Sequence, residues 1–429
     1  MVKKFYIMIK RSVLQLNRTD PNIMTFIVYG LLYDIVINTY KPFAVKFLER
    51  LGGNELHISL YNSLPGLMAV LALIPGSIFI ARFVRKKRVT TVFFVVARLF
   101  LVLLALIPFF NAELRPLLFV ILSAVMNFPD AVSQCAFQSF LGENFEGSLR
   151  AKAISLRTKF GQIVIMIITV TTGLIIRFAP QNESQTLIAY QLFFATAFVV
   201  SIFEIIKFTH FKERSKAAEA AETDNSEKPS FKVLRGVLKD KKFKRFLVLT
   251  ISFYVTWQIA WPIVGAYQVI HLKADEVWLA VFAMVSGVFL YLGASFWGRR
   301  IIKQGNDKMI LFGVFGAALN VFLYGLAQNL WLMIFVSAYN GFMGSVLNIT
   351  LLNGLLEATP DKNRVLYIAT YNTMINVSLF LSPFLGYLLI TRFSYFVTFS
   401  IIALMRGAVS LVMLLNYLRN KKSRLDSSV

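Results

Sequence analysis

The sequence has almost no cysteine, little histidine and few acidic residues. Its 429 residues include one cysteine and three histidines, and 22 acidic residues stand against 45 basic ones. A single cysteine, Cys135, excludes a disulfide bond within one chain and a cysteine-based metal site. His57, His210 and His271 lie far apart in sequence, so we expect no zinc site and no other cofactor.

Motifs for catalysis and for nucleotide binding are also missing. The chain has no Gly-x-x-x-x-Gly-Lys-Ser/Thr phosphate loop, no nucleophile elbow and no His-Glu-x-x-His pair. We therefore predict that the protein is not an enzyme and that ATP does not drive it directly.

Long apolar segments dominate what is present. Hydrophobic residues make up 57% of the chain and the mean hydropathy is +0.65, which is more apolar surface than a soluble core of this size could bury. A lipid core about 30 Å thick is crossed by roughly 20 residues of helix. We predict an all-α membrane protein whose twelve spans are 22–46, 56–82, 89–110, 115–141, 152–178, 186–208, 245–271, 276–299, 308–327, 330–356, 365–391 and 394–418.

Basic residues gather in every second gap between these spans. Of the 45 Lys and Arg residues, 36 fall in the terminal segments and alternate gaps, six in the opposite gaps and three inside spans. By the positive-inside rule, both termini and the central loop are predicted to be cytoplasmic. The net charge of +23 then reflects topology and attraction to anionic lipid headgroups, and we expect no nucleic-acid partner. The first twenty residues lead into a full-length span, so we expect no cleavable signal peptide.

A long polar segment divides the spans six and six. We predict an amino-terminal six-helix bundle over 1–209, a cytoplasmic linker over 210–244 and a carboxy-terminal six-helix bundle over 245–429. Within the linker, 231–246 alternates apolar and basic residues at helical spacing, with Ser230 as the N-cap, which predicts an amphipathic helix on the inner leaflet.

The two halves also repeat one another in detail, which indicates a parallel internal repeat. Three sets of residues recur in the same order, displaced by 220, 222 and 214 positions. The pairs are Asn38 and Pro42 with Gln258 and Pro262, Gly76 and Ile80 with Gly298 and Ile302, and Gln134, Glu143 and Arg150 with Asn348, Glu357 and Arg364.

This pattern resembles the major facilitator superfamily over nearly the whole chain. The strongest local match is 297–308, Trp-Gly-Arg-Arg-Ile-Ile-Lys-Gln-Gly-Asn-Asp-Lys, which is similar to the family's loop between helices 8 and 9. Ile302 occupies the slot where the family usually has Asp; in the first-half copy, Ile80 does the same and Phe83 stands in the second Gly slot. The resemblance implies two pseudo-symmetric six-helix bundles that rock about a central site. It does not select a subfamily.

Polar residues recur at helical spacing on one face of spans 1, 4, 7 and 10. The resemblance implies that these four helices line the central cavity. The candidate substrate and coupling residues are Asp34, Asn38, Lys41, Asn127, Asp130, Gln134, Tyr254, Gln258, Trp261, Asn340 and Asn348.

Each candidate also has a structural interpretation. Asp34 and Lys41 could pair with each other, or Lys41 could extend toward the outer surface. Asp130 could satisfy backbone groups loosened by Pro129, and Trp261 could belong to the outer aromatic belt. Similarly, Gln134 and Asn348 could join helices by hydrogen bonds, and Arg98 and Arg406 fall on spans 3 and 12, which are peripheral in the superfamily and favour structural partners.

Charged residues near the predicted cytoplasmic ends form a candidate gate. In the superfamily, such residues make ion pairs that close the inner side when the outer side is open; a solvated surface network is the alternative. The gate candidates are Arg85, Lys86, Glu143, Arg150, Lys303, Glu357 and Arg364.

From these features we predict a monomeric secondary transporter in the cytoplasmic membrane that moves a small solute by alternating access. We expect a proton, ion or substrate gradient to power it. Asp34 and Asp130 are candidates for carrying a coupling proton or for holding a cationic group, because a carboxyl group shielded from water binds a proton more readily. Lys41 could instead hold an anionic substrate. The alternative is a flippase or exporter of lipids or amphiphiles with the same fold. Span 5 has no Gly-Pro pair, unlike the superfamily's drug and proton antiporters, which argues against drug export.

Overall fold

The computed structural model describes residues 22–81, 86–144, 147–212, 237, 239–360 and 364–426. Twelve long helices account for nearly all of them. They are α1 (Asn22–Tyr40), α2 (Glu55–Ala81), α3 (Lys86–Leu106), α4 (Arg115–Asn144), α5 (Gly147–Phe178), α6 (Glu183–Thr209), α7 (Lys241–Ala266), α8 (Glu276–Gln304), α9 (Asn306–Leu326), α10 (Leu330–Ala358), α11 (Arg364–Ile390) and α12 (Tyr395–Asp426). No strand occurs in the described ranges.

Two of these helices continue with altered geometry. After α1, a 3₁₀ turn at Lys41–Phe43 carries Pro42 and leads into the short helix Ala44–Arg50. α7 continues as the π-helical turn Tyr267–His271. Eleven of the described helices, counting each continuation with its parent, are long and apolar enough to cross a membrane. The remaining long helix, α2, lies at the predicted second span and has 27 residues, but it is not among these eleven.

The helix positions confirm the predicted spans, and most helices extend a few residues beyond them. The first backbone N–H groups of a helix have no partner within the helix, so a capping side chain that accepts hydrogen bonds from them determines where the helix begins. The side chains of Asn182, Asp240, Asp275 and Asn329 accept hydrogen bonds from backbone N–H groups at the starts of α6, α7, α8 and α10. α7 accordingly begins at Lys241 and not at the predicted residue 245. Of the predicted amphipathic helix and its N-cap, 230–236 and 238 lie outside the described residues.

The helices form two compact units. Unit 1 is Met1–Ala44, Leu71–Asn111 and Leu122–Asn225, and unit 2 is Val45–Val70, Ala112–Ile121 and Ser226–Val429. In unit 1, α1 packs against α5 and α6, and α3 packs against α6. Tyr29 of α1 lies at the centre of an aromatic cluster with Phe94, Phe137 and Phe208, at ring-centroid distances of 5.0 to 5.9 Å. Burial of these large rings holds the unit together.

In unit 2, the closest helix packing joins α8 to α10, α9 to α12 and α7 to α11. Small residues allow this close approach, which is how helices associate in lipid. A Cβ atom at Gly341 of α10 would lie 2.8 Å from the carbonyl carbon of Ser286 on α8. Gly293 of α8 similarly faces Phe342 and Ser345 of α10.

One glycine connects α8 to α9. Gly305 has φ 85°, a conformation that other residues rarely adopt, so glycine is required in this slot of the 297–308 motif. Trp297 donates from its indole Nε1 to the carbonyl oxygen of Phe342 at 3.1 Å, and Asn306 donates to that of Thr350 at 3.0 Å. The motif therefore fixes a tight turn and ties it to α10.

Candidate functional site

An ion pair with a buried carboxylate joins α1 to α5 in unit 1. The guanidinium Nη2 of Arg157 donates to Oδ1 of Asp34 at 2.6 Å and to the carbonyl oxygen of Gly30 at 3.3 Å. Asp34 is 5% exposed. A Cβ atom at Gly30 would meet Arg157, and one at Gly161 would meet the Asp34 carboxylate, so both glycines leave room for the pair.

A second charged group links α3, α4 and α6, and we call Arg98, Asp130 and Glu204 the unit 1 triad. Arg98 donates from Nε and Nη2 to the two carboxylate oxygens of Glu204, each at 3.0 Å. Its third nitrogen, Nη1, lies 3.6 Å from Oδ1 of Asp130, which is an ion pair beyond hydrogen-bond distance. The guanidinium also lies 5.4 Å from the centroid of the Tyr33 ring, within range of a cation–π interaction.

The two acidic members of the triad differ in their surroundings. The Glu204 side chain is 1% exposed and makes two charge-assisted hydrogen bonds, whereas the Asp130 side chain is 26% exposed and its Oδ1 has no hydrogen-bond partner. One guanidinium faces two carboxylates, so the triad carries one excess negative charge when both are ionised. Asp130 is the member that a proton or a cationic group can reach.

The candidate residues of unit 2 are aromatic and amide side chains. On α7, the rings of Tyr254 and Trp257 stack with an interplanar angle of 7° and a centroid distance of 6.0 Å. Trp261 lies edge-on to Trp257 at 6.5 Å and is 48% exposed. Tyr371 of α11 contacts Tyr254 at 6.3 Å. These four rings form an aromatic cluster that spans two turns of α7.

Amide groups in unit 2 join neighbouring helices. Buried Gln258 of α7 accepts a hydrogen bond from the hydroxyl of Ser378 on α11 and donates to the carbonyl oxygen of Ile375 at 3.3 Å. Asn340 of α10 accepts from Nδ2 of Asn320 on α9 at 2.9 Å. Gln258 and Asn340 therefore make contacts that hold helices together, a role that the sequence analysis had considered only for Gln134 and Asn348.

For the remaining candidates, the structure gives hydrogen bonds within one helix or only the exposure of the side chain. Asn38 and Asn127 each donate to a carbonyl oxygen one turn earlier on the same helix, at 2.8 and 2.6 Å. Gln134 is half-buried, and Lys41 and Asn348 are exposed. Asp34 pairs with Arg157 and not with Lys41.

Most of the predicted cytoplasmic gate falls outside what the structure describes. Arg85 lies outside the described residues, and so do the side chains of Lys86, Glu143, Arg150 and Arg364. Lys303 and Glu357 are exposed, and the carbonyl oxygen of Glu357 accepts from Nζ of Lys242 at 2.5 Å. The gate stays a prediction.

An ion pair in unit 2 was not anticipated. Arg50, at the end of the short helix after α1, donates from Nε and Nη2 to the two carboxylate oxygens of Glu276 at 2.7 and 3.1 Å. The Glu276 side chain is 1% exposed. A buried bidentate pair between residues 226 positions apart in the sequence is a specific connection between the two halves of the chain.

Sequence reasoning missed three of these charged partners. Arg157 was counted with the cytoplasmic basic residues although it falls inside a predicted span, and Glu204 and Glu276 were not singled out. The sequence did contain a signal that could have identified them. An ionisable group inside a span needs a partner of opposite charge, so charged residues within or beside the spans should have been matched with one another. Among the described residues, no group of three or more His, Cys, Asp or Glu side chains is arranged to hold a metal ion.

Comparison with known proteins agrees with this architecture. The family model described as the Major Facilitator Superfamily matches residues 24–299 and 246–428. The chain belongs to the major facilitator superfamily. It is therefore a multi-pass membrane transporter, and the prediction that it is not an enzyme is confirmed by the family. Solved structures agree in fold: the nucleoside transporter NupG superposes with a TM-score of 0.66 at 10% identity, covering 92% of this chain and 98% of that one.

A transporter of the POT family, solved with a thioalcohol-conjugated peptide, is similar at a TM-score of 0.66 and 12% identity, over 93% of this chain and 96% of its own. Curated relatives match over shorter segments. The class H tetracycline resistance protein of Pasteurella multocida is 30% identical over 113 residues, 26% of this chain and 27% of the relative. The multidrug resistance protein MdtG of Dickeya zeae is 28% identical over 115 residues, 27% of this chain and 28% of its own length. The chain thus matches little more than a quarter of either relative.

Proposed function

We propose that this protein is a secondary active transporter of the cytoplasmic membrane that couples solute movement to a proton carried by Asp130. The observation that supports the proposal most strongly is the unit 1 triad. Its excess negative charge is costly in a membrane interior, and a proton on one carboxylate removes that charge. Asp130 is the better candidate of the two, because Glu204 is fully enclosed and held by two hydrogen bonds to Arg98.

Asp34, the other carboxylate predicted to carry a proton, suits a different role. Arg157 balances its charge one to one at 2.6 Å. A neutral pair gains no electrostatic advantage from a proton, so we assign Asp34 to orientation of α1 against α5. Proton loading at Asp130 weakens its attraction to Arg98, and this change can bias a two-state equilibrium between outward and inward access.

The substrate class follows from the side chains that each unit offers. Stacked Tyr254 and Trp257, with the half-exposed edge of Trp261, can bind a flat apolar group. An uncompensated carboxylate in unit 1 attracts positive charge. We therefore propose an amphiphilic aromatic or cationic solute, exchanged for protons. The names of the tetracycline and multidrug resistance relatives support that class, although span 5 lacks the Gly-Pro pair of the superfamily's drug and proton antiporters.

In an alternating-access cycle the outer side of the transporter must close in one state, and we propose that the Arg50–Glu276 pair holds it closed. We propose that both termini are cytoplasmic, as the distribution of basic residues indicates, so that this pair lies on the outer side. Breaking it would then accompany opening to the outside.

Transport by the reconstituted protein tests the coupling role. Proteoliposomes with an imposed pH gradient would first be screened with aromatic cations and neutral aromatic compounds. With the solute found, Asp130→Asn is expected to abolish stimulation by the gradient and to retain solute exchange, which requires no net proton movement. Asp34→Asn is expected to slow both activities while the remaining transport still follows the gradient.

The matched control is Glu113→Gln, which removes an exposed carboxylate between α3 and α4. It should leave gradient-driven transport and exchange unchanged. Full gradient stimulation in Asp130→Asn would remove Asp130 from the coupling role, and loss of stimulation in Asp34→Asn alone would transfer that role to Asp34.

A further inference from the structure

A shallow, open hollow, mostly apolar and with basic residues at one end, lies between the start of α7 and the later part of α12, away from the residues assigned to transport. It has a volume of about 380 Å³ and lies entirely within unit 2. No acidic side chain is among the described residues that line it, which are Lys241, Lys244, Arg245, Val248, Leu249, Val412 and Asn416.

The lining changes from charged to apolar along the helices. Lys241, Lys244, Arg245 and Val248 are spaced i, i+3, i+4 and i+7, which places them on one face of α7. Over those seven residues the helix rises about 10 Å. The first three carry positive charge and are exposed, and the fourth begins an apolar surface.

The opposite wall belongs to α12. Val412 of α12 and Val248 of α7 both line the hollow, and each of the two is 55% exposed. Near the charged end, Arg245 reaches across to α12 and donates from Nη2 to the carbonyl oxygen of Asn416 at 3.4 Å. A molecule in the hollow would therefore contact both helices, with its charged part beside the lysines and its apolar part between the valines.

We propose that this hollow binds an anionic phospholipid, with the phosphate held by Lys241, Lys244 and Arg245 and an acyl chain lying between Val248 and Val412. Lysine and arginine donors suit phosphate oxygens, and basic pockets between membrane helices bind anionic headgroups. Freely dissolved phosphate would use the charged end alone and would make no contact with the valines. The bound lipid would join α7 to α12 at the end where α7 begins.

Native mass spectrometry of the purified full chain in detergent tests this site. The protein would be titrated with phosphatidylglycerol, with phosphatidylcholine and with inorganic phosphate. We expect phosphatidylglycerol to bind at least tenfold more tightly than phosphatidylcholine, and the combined variant Lys241→Gln, Lys244→Gln and Arg245→Gln to lose that preference. Val412→Asn should weaken phosphatidylglycerol binding severalfold although every charge is retained.

The matched control removes three exposed charges elsewhere in unit 2, by Arg299→Gln, Arg300→Gln and Lys308→Gln. It should keep the preference for phosphatidylglycerol. Equal loss in the control, or unchanged binding in the hollow variant, would overturn the proposal. Competition by millimolar inorganic phosphate, with no effect of Val412→Asn, would also overturn it in favour of a simple anion site.

Discussion

Two buried arginines, Arg98 and Arg406, have opposite surroundings. Arg98 is 2% exposed and neutralises carboxylates, whereas Arg406 is 3% exposed and donates to the carbonyl oxygens of Thr256 and Ala317, each at 2.8 Å. Among the described residues, no carboxylate forms an ion pair with Arg406. Removing each charge therefore has a different consequence.

We expect Arg98→Met to lower the stability of the folded protein by about 3–5 kcal/mol, because two carboxylates would be left in the interior without a cation. Arg406→Met should change stability by no more than about 1 kcal/mol, because the buried charge is removed and the helical carbonyl groups keep their backbone partners. Thermal unfolding in detergent measures the difference. Equal destabilisation by both variants would mean that charge balance does not explain the role of Arg98.

Pairings of this kind set the limit of sequence reasoning. Helical spacing placed Asp34 and Asp130 on polar faces of their helices, and both positions are confirmed as helical. Their partners, Arg157 and Arg98, lie 123 and 32 residues away in sequence on other helices. Periodicity describes one helix and says nothing about the side chain that a neighbouring helix brings to it.

Helix packing depends on the small residues at the close approaches. Gly341 and Gly344 lie three residues apart on α10, but a Cβ atom at Gly341 would meet the Ser286 backbone, and one at Gly344 would have nothing within 4 Å. The two glycines thus provide a matched pair for testing how tightly α8 and α10 pack.

Gly341→Ala is expected to destabilise the protein by about 1–3 kcal/mol, because backbone atoms of α8 must move to admit the methyl group. Gly344→Ala should be neutral or stabilising by up to about 1 kcal/mol, since alanine favours helix more than glycine does. Apparent melting temperatures of the two variants give the comparison. A neutral Gly341→Ala would show that α8 and α10 have space to separate.

The positions of these elements were more accessible to prediction than their contacts. Lipid thickness fixes the length of each span, and capping residues such as Asn182 and Asp275 fix where helices begin. Prediction was less successful at α7, whose start at Lys241 was assigned to the linker. The charged side chains at 241–245 led us to place the first turn of that helix in the predicted amphipathic helix 231–246 of the linker and not in the span.

For the molecule as a whole, the Arg50–Glu276 pair connects residues from the two halves of the sequence within unit 2. Arg50 donates one hydrogen bond to each carboxylate oxygen of Glu276, and that carboxylate is fully enclosed. In the alternating-access cycle that we propose, this connection forms in one state and breaks in the other. We expect Glu276→Gln to weaken it and to favour the state in which these ends are apart.

Distance measurement between the segment that follows Arg50 and the connection from α11 to α12 tests alternating access most directly. Spin labels at Asn54→Cys and Arg392→Cys, both exposed positions of unit 2, would be placed in a Cys135→Ser background and measured by pulsed electron resonance. We predict two distances whose populations change with pH and solute, and a larger share of the longer distance in Glu276→Gln. One unchanging distance in both proteins, with transport intact, would contradict alternating access through this pair.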